Sequence, residues 1–232
     1  MKKKINVGLA GVGRLGKMYA EYLAQRVPQA HVVAFADIIP ERARTAAEEY
    51  GGKWYDNHHD LNHDPEVEAV VVVATTHAHK AIIIDAAAAG KAVFSEKPLT
   101  LNLADAREVE QAVAKAGIFF QMGFMRRFDK GFAAAKRKIE EGVIGIPVTF
   151  RGSARDPYRP SLEYLKLENS GGQILDMAIH DIDIARWYMG EVTSVYSIGT
   201  VLAYPEIAPL GDTDNVLMAL RFESGALGEI DI

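Results

Sequence analysis

Residues 5–25 read INVGLAGVGRLGKMYAEYLAQ. The run from Ile5 to Ala10 is short and apolar and ends in glycines. Beyond it Leu15, Met18, Tyr19, Tyr22 and Leu23 recur at helical spacing, so the stretch predicts a strand, a tight turn and a helix. Gly11, Gly13 and Gly16 fall in G-x-G-x-x-G spacing within that turn. The first glycine of such a loop allows the sharp turn, and the second lets backbone approach a pyrophosphate. The third allows close helix–strand packing, with phosphates at the positive helix N-terminus. A glycine triplet alone is a weak signal. Here a second apolar run, HVVAFAD, ends at Asp37, 21 residues beyond Gly16. A carboxylate there can accept hydrogen bonds from adenosine ribose hydroxyls. Gly11, Gly13, Arg14, Leu15, Gly16 and Asp37 are therefore expected to bind a dinucleotide. The same carboxylate repels a 2′-phosphate, which favours NAD over NADP, although Arg42 and Arg44 stand close enough to keep NADP open.

The alternation continues outward from this unit. PERARTAAEEYG reads as a helix, VEAVVVVAT as a strand buried on both faces, and HKAIIIDAAAAGK as a helix. AVFSEK is the next strand, NLADAREVEQAVAKAG a helix, and IFFQMGF closes the set. Such βαβ order predicts an α/β fold with a doubly wound parallel sheet over residues 1–123. From 124 to 232 the pattern changes: a helix, the strand PVTFRGSAR, the polar loop DPYRPSLEYLKLENSGG, another helix, then three strand-like runs in succession. This predicts an α+β domain with a largely antiparallel open sheet. The last residues still alternate as a strand, which reads as a domain cut short at its C-terminus.

Composition narrows the function classes. Of 232 residues, 49% are hydrophobic and 25% charged, enough for a substantial core, and the formal net charge of −5 makes nucleic acid a poor partner. No cysteine is present, so disulfide and thiolate chemistry are excluded. The basic opening around Lys2–Lys4 is followed by no cleavage pattern and by no apolar run long enough to span a membrane. A cytoplasmic protein with no membrane partner is expected.

Two further stretches carry candidate chemistry. In FSEKPL, Lys97 ends a predicted strand, where ligands bind in parallel sheets, and it could stabilise an alkoxide as hydride leaves. Glu96 and Pro98 constrain its backbone, with a cis peptide as one option. In SGGQILDMAIHDIDIARW (170–187), Asp176, His180, Asp183 and Trp187 share a narrow arc of one helix, walled by apolar residues on both sides. A histidine with an unperturbed pKa near 6.5 can accept an alcohol proton at neutral pH, and an aspartate one turn earlier can orient it. Asp181 and Asp183 read as structural, Asp183 as a partner for loop backbone. DNHHDLNHD reads as a polar loop rather than a zinc or iron site, so no metal is expected. Arg126 reads as solvated.

Together GVGRLG, FSEKPL and GGQILDMAIHDIDIARW resemble the glucose–fructose oxidoreductase/inositol dehydrogenase/MocA family, and within it the inositol 2-dehydrogenases. ATTHAHKAIIIDAAAAGK resembles the family's nicotinamide-side loop, and GFMRRFD and ARDPYRP resemble its substrate loops. The resemblance implies a Rossmann domain before the α+β domain, and Lys97, Asp176 and His180 as catalytic residues. It places Thr75, His79, Glu96 and Lys97 beside the cofactor, and Arg127, Asp156, Asp176 and His180 against substrate hydroxyls, with Tyr158 and Arg155 as weaker matches. It implies oxidation of a cyclitol hydroxyl to a ketone with NAD, the Asp/His face looking onto the nicotinamide, and a homodimer or homotetramer built through the second sheet. Family members continue for about another hundred residues, so a chain ending at Ile232 is expected to bind NAD better than it turns over substrate. The alternatives are an NAD(P) oxidoreductase of a sugar or anhydro-sugar, and a nicotinamide-dinucleotide-binding subunit without turnover.

Overall fold

The computed structural model describes residues 3–232. Met1 and Lys2, which fall in the basic opening and in the first expected domain, lie outside them. The chain divides into two compact units, the first ending at Gly123 and the second running from Phe124 to Ile232.

In the first unit, strands β1 (Ile5–Ala10), β2 (Ala30–Ala36), β3 (Lys53–Tyr55), β4 (Ala69–Val72), β5 (Ala92–Ser95) and β6 (Phe120–Met122) alternate with helices. The helices are α1 (Arg14–Gln25), α2 (Pro40–Tyr50), α3 (His58–His63), α4 (Thr76–Ala88) and α5 (Leu103–Ala116). The strands pair in parallel in the order β3-β2-β1-β4-β5-β6. The strand direction of progression therefore reverses between β1 and β4, and the crevice beyond their carboxyl ends is where such sheets hold ligands. The unbroken apolar run of β4 has a direct cause. Val70 and Val72 pack into one core with Leu61, Ile82, Ile83 and Val109, while Val71 and Val73 pack into another with Leu9, Phe35, Ala20 and Ala46. Helices cover both faces, and each fully buried side chain such as Leu9 or Phe35 contributes roughly 1.5–3 kcal/mol.

Two local features differ from expectation. The short edge strand β3 was not foreseen. DNHHDLNHD is helix α3 rather than a polar loop, because the Asn57 side chain caps it by accepting from the Asp60 amide. Asp64 terminates α3. Its buried carboxylate accepts from Lys53 Nζ at 3.0 Å, Tyr55 Oη at 2.8 Å and the Glu66 amide at 2.9 Å. Burial pushes its pKa up, but these donors outweigh burial and hold it below the usual carboxylate range. A depressed folded pKa means stability that is present above the unfolded value and lost as pH falls through the folded one. Asp64→Asn is expected to destabilise the chain by about 2–3 kcal/mol at pH 7. In urea unfolding the gap from wild type should narrow as pH falls below the ordinary carboxylate value of about 3.9, and close only below the depressed folded one.

The second unit holds α6 (Lys130–Glu140), β7 (Thr149–Ser153), α7 (Leu162–Leu165), α8 (Leu167–Ser170), α9 (Ile179–Met189), β8 (Val192–Thr200), β9 (Asn215–Phe222) and β10 (Leu227–Asp231). Its sheet runs β7-β10-β9-β8, antiparallel except for the parallel β7–β10 pair. On β9, Val216, Met218, Leu220 and Phe222 face inward at period two and pack with Ile230, Ile232, Ala178 and Ala185. The segment read as one loop, DPYRPSLEYLKLENSGG, contains α7 and α8, and Ser161 caps α7 by accepting from the Tyr164 amide. No helix among the described residues is long and apolar enough to cross a membrane.

Candidate functional site

The glycine loop joins the end of β1 to α1. Gly11 adopts φ +95°, and its amide donates to Ala36 O on β2 at 2.8 Å. A Cβ at Gly11 would lie 2.5 Å from the Ala74 amide nitrogen, so the turn after β1 is pressed against the turn after β4. At Gly16 a Cβ would meet Gly11 O at 2.1 Å, which is the close helix–strand packing expected of the third glycine. Gly13 differs from both. It is the N-cap of α1, no side chain caps the helix there, and a Cβ would enter open space. The first turn of α1 carries no acidic residue. Its amides and dipole therefore meet an open cradle suited to a phosphate, so the residues present fit a dinucleotide. Arg14 and Leu15, at the start of α1, are exposed.

Asp37 is buried, and its carboxylate ties the loop together. Oδ2 accepts from the Val12 amide at 2.7 Å and Oδ1 from the Ile39 amide at 2.9 Å. Each oxygen retains a second lone pair for a ribose hydroxyl. Arg42 leans toward Asp37 at 3.9 Å, while Arg44 is held by Glu41 at 2.7 Å.

The turns after β4 and β5 carry the first unit's remaining candidates. Thr75 is the exposed N-cap of α4. His79 is 1% exposed, with Nδ1 facing Pro98 O at 2.9 Å and Nε2 facing Ala74 O at 3.0 Å. Burial pushes its pKa down, and a neutral ring donates to one of these carbonyls. His79 therefore braces the two turns from inside, and no ring nitrogen is turned outward to a ligand. The Lys97–Pro98 bond is cis. Glu96 Oε2 accepts from the Lys97 amide at 3.1 Å, and Glu96 Oε1 takes a short hydrogen bond from Tyr19 on α1. Burial and then Glu96 push the Tyr19 hydroxyl well above the ordinary tyrosine range, so it stays a donor. Sequence reading missed Tyr19, which looks like any apolar-face aromatic until α1 is laid beside β5.

In the second unit, Asp176 and His180 do not lie on one regular helix. Residues Ile174–Ala178 form a π turn before α9 begins at Ile179. π turns widen the helix by one residue and gather at functional sites. Both residues are half-buried. Tyr164, from α7, donates to Asp176 Oδ1 at 2.9 Å. That partner was also missed, because it lies in the stretch read as loop.

The most buried charges of this helix are the two set aside. Asp181 is 5% and Asp183 7% exposed. Arg126 Nη1 donates to Asp181 at 2.7 Å, so Arg126 is not simply solvated. Arg127 grips both oxygens of Asp183 through Nε and Nη2 at 2.7–3.1 Å, and lies over the Trp187 ring. Asp183 therefore holds an arginine fork rather than loop backbone, and Arg127, expected against substrate, has its fork engaged within the unit. Asp156 and Tyr158 are exposed between β7 and α7, while Arg155 pairs with Asp231.

Comparison with known proteins covers both units. Residues 5–124 match the model of an oxidoreductase family with an NAD-binding Rossmann fold, and residues 132–232 match a GFO/IDH/MocA C-terminal domain. The chain is 40% identical to the scyllo-inositol 2-dehydrogenase (NAD(+)) of Bacillus subtilis over 100% of its own length and 68% of that protein's. It is 43% identical to the myo-inositol 2-dehydrogenase of Thermotoga maritima over 98% of its length and 68% of the relative's. Among solved structures, scyllo-inositol dehydrogenase from Lactobacillus casei with bound NAD(H) and scyllo-inositol superposes with a TM-score of 0.90 at 32% identity. That match covers 99% of this chain and 69% of the other. The uncapped glycine cradle, the Asp37 tether and the Asp176/His180 turn thus sit in a sequence whose two halves both carry family signatures, and the chain belongs to the Gfo/Idh/MocA oxidoreductase family.

Proposed function

We propose that the chain oxidises a secondary hydroxyl of a cyclitol, myo-inositol or its scyllo isomer, to the ketone with NAD. The observation that carries this reading is the 40–43% identity, over essentially the whole chain, to proteins named for that reaction. The open phosphate cradle at Gly13 supports a dinucleotide, and the buried Asp37 carboxylate supports NAD in preference to NADP.

When bound, NAD supplies the hydride acceptor. The chain's own residues handle the hydroxyl proton and the charge on oxygen. His180 accepts the proton of the hydroxyl being oxidised. Lys97 donates a hydrogen bond to the same oxygen and stabilises the negative charge that builds there. Asp176, set by the Tyr164 hydroxyl, orients the His180 ring and favours its cationic form. Gly11, Gly13, Gly16 and the first turn of α1, including Arg14 and Leu15, hold the pyrophosphate, and Asp37 the ribose. Thr75, Glu96 and Lys97 border the nicotinamide, with His79 bracing the turns that carry them. Asp156 and Tyr158 offer polar groups to the remaining hydroxyls, while Arg127 acts through Asp183 and Trp187. We assign the protein to the cytoplasm as a homodimer or homotetramer assembled through the second sheet.

The test is NADH appearance with myo- and scyllo-inositol against a panel of aldoses. The expected result is turnover of a cyclitol with NAD at least about tenfold better in kcat/KM than with NADP. Turnover confined to an aldose would move the substrate class. NAD binding with no turnover of any polyol would overturn the catalytic reading.

A further inference from the structure

The histidine-rich segment set aside in the sequence has a geometry that its reading as a loop concealed. Because residues His58–His63 form helix α3, His59 and His63 stand one turn apart, with ring centroids 4.1 Å from each other. Both face one carboxylate on the neighbouring helix α4. His59 Nδ1 lies 3.0 Å from Asp85 Oδ1, and His63 Nδ1 lies 3.9 Å from Asp85 Oδ2. One donor atom from each of the three residues lies within 4.8 Å of the others.

Asp85 is also held from behind. Its Oδ2 accepts from Nδ2 of Asn62 at 2.8 Å, and Asn62, 0% exposed, uses the same amide to reach Ile82 O at 3.2 Å. A carboxylate fixed by a buried amide is the kind of support that orients a metal ligand. The two histidine side chains are 64% and 47% exposed, so an ion and its waters can reach them.

We propose that His59, His63 and Asp85 bind a zinc(II) ion that staples α3 to α4, with water completing a tetrahedron. Two imidazoles and one carboxylate suit zinc, and they suit nickel(II) and copper(II) by the general affinity order, but not magnesium or calcium. Ligands around zinc at about 2.0–2.1 Å lie closer together than the present 4.8 Å limit, so binding draws in the two exposed rings toward a carboxylate already set. Both imidazoles bind as neutral rings, so zinc competes with protons for them. All three ligands belong to the first unit, and the inference stands whether or not the chain is a cyclitol dehydrogenase.

The experiment is zinc titration of tag-free, chelator-stripped protein by calorimetry, with the thermal unfolding midpoint followed in parallel. The expected result is one ion per chain, a midpoint raised by zinc and not by magnesium, and binding weakened at least about tenfold in each of His59→Ala, His63→Ala and Asp85→Asn. His58→Ala serves as the control and should bind as wild type does. Absence of zinc uptake, or uptake that His59→Ala and His63→Ala both leave intact, would overturn the site. The histidine variants lie at exposed helix positions where alanine preserves the fold, so loss of binding in them reports the ligands themselves.

Discussion

Adding a methyl group at Gly13 is expected to weaken NAD binding by about tenfold or more while leaving the fold nearly untouched, whereas the same methyl at Gly16 is expected to unsettle the fold. Gly13 sits at φ −72° and ψ −160°, a conformation that alanine adopts without strain, and its Cβ would have nothing within 4 Å. Only a ligand pressed against the backbone can sense it. The change in unfolding free energy should stay within about 1 kcal/mol, the range of a glycine-to-alanine change at an N-cap. Gly16 has no such room. Its Cβ would stand 2.1 Å from Gly11 O, a backbone atom that cannot rotate away. Either α1 must lift off β1 or the turn at Gly11 must open, and that turn is pinned on its other side by Ala74. Gly16→Ala should therefore lose at least about 3 kcal/mol, beyond ordinary overpacking because the partner is main chain. Urea unfolding and NADH fluorescence titration, run on both variants, separate the two effects. NAD affinity unchanged in Gly13→Ala would mean that the loop does not cradle the pyrophosphate.

How much of this was legible beforehand depends on the sequence separation of the partners. The first sheet could be read because its evidence is local: apolar runs of strand length, helices of period 3.6, and glycines at fixed spacing. Asp37 could be named from its distance to Gly16, although its backbone partners, Val12 and Ile39, could not. The misreadings fall where a local polar pattern is overridden by a cap or a distant charge. α3 looked like loop because five of its six residues are His, Asp or Asn, yet the Asn57 cap and the burial of Leu61 and Asn62 make it a helix. Asp181 and Asp183 find their arginines 55 and 56 residues upstream, and nothing in a single sequence announces such a pairing. The two adjacent arginines, Arg126 and Arg127, matching two aspartates at i and i+2 were the one available hint. The π turn at Asp176 has no sequence signature of its own, and a regular helical wheel assumes an unbroken α-helix from Asp176 to His180 that the backbone does not keep.

That last correction sharpens the second large prediction. His180→Ala is expected to lower kcat for cyclitol oxidation by about 10²–10⁴-fold, the usual worth of a positioned general base, with NAD affinity within about twofold of wild type. His180 is half-buried near the start of α9, alanine is the best helix former, and the burial that anchors α9 comes from Ala178, Asp181, Asp183, Ile184 and Ala185. The fold should survive, so lost turnover reports chemistry. Lys97→Met should fall by a comparable factor if the lysine stabilises the developing oxyanion. The two losses should not multiply, because groups acting on one oxygen work as a unit. Tyr164→Phe removes a hydrogen bond at 2.9 Å to Asp176 and leaves His180 in place, so its effect should be smaller, about tenfold, and confined to kcat. The order of these three effects tests the arrangement more strictly than any one of them. A base oriented by Asp176 through Tyr164 requires His180 to matter most and Tyr164 least. If Tyr164→Phe proved as damaging as His180→Ala, the tyrosine hydroxyl itself would be handling the proton, and the π turn would serve to present Asp176 to the tyrosine rather than to the histidine.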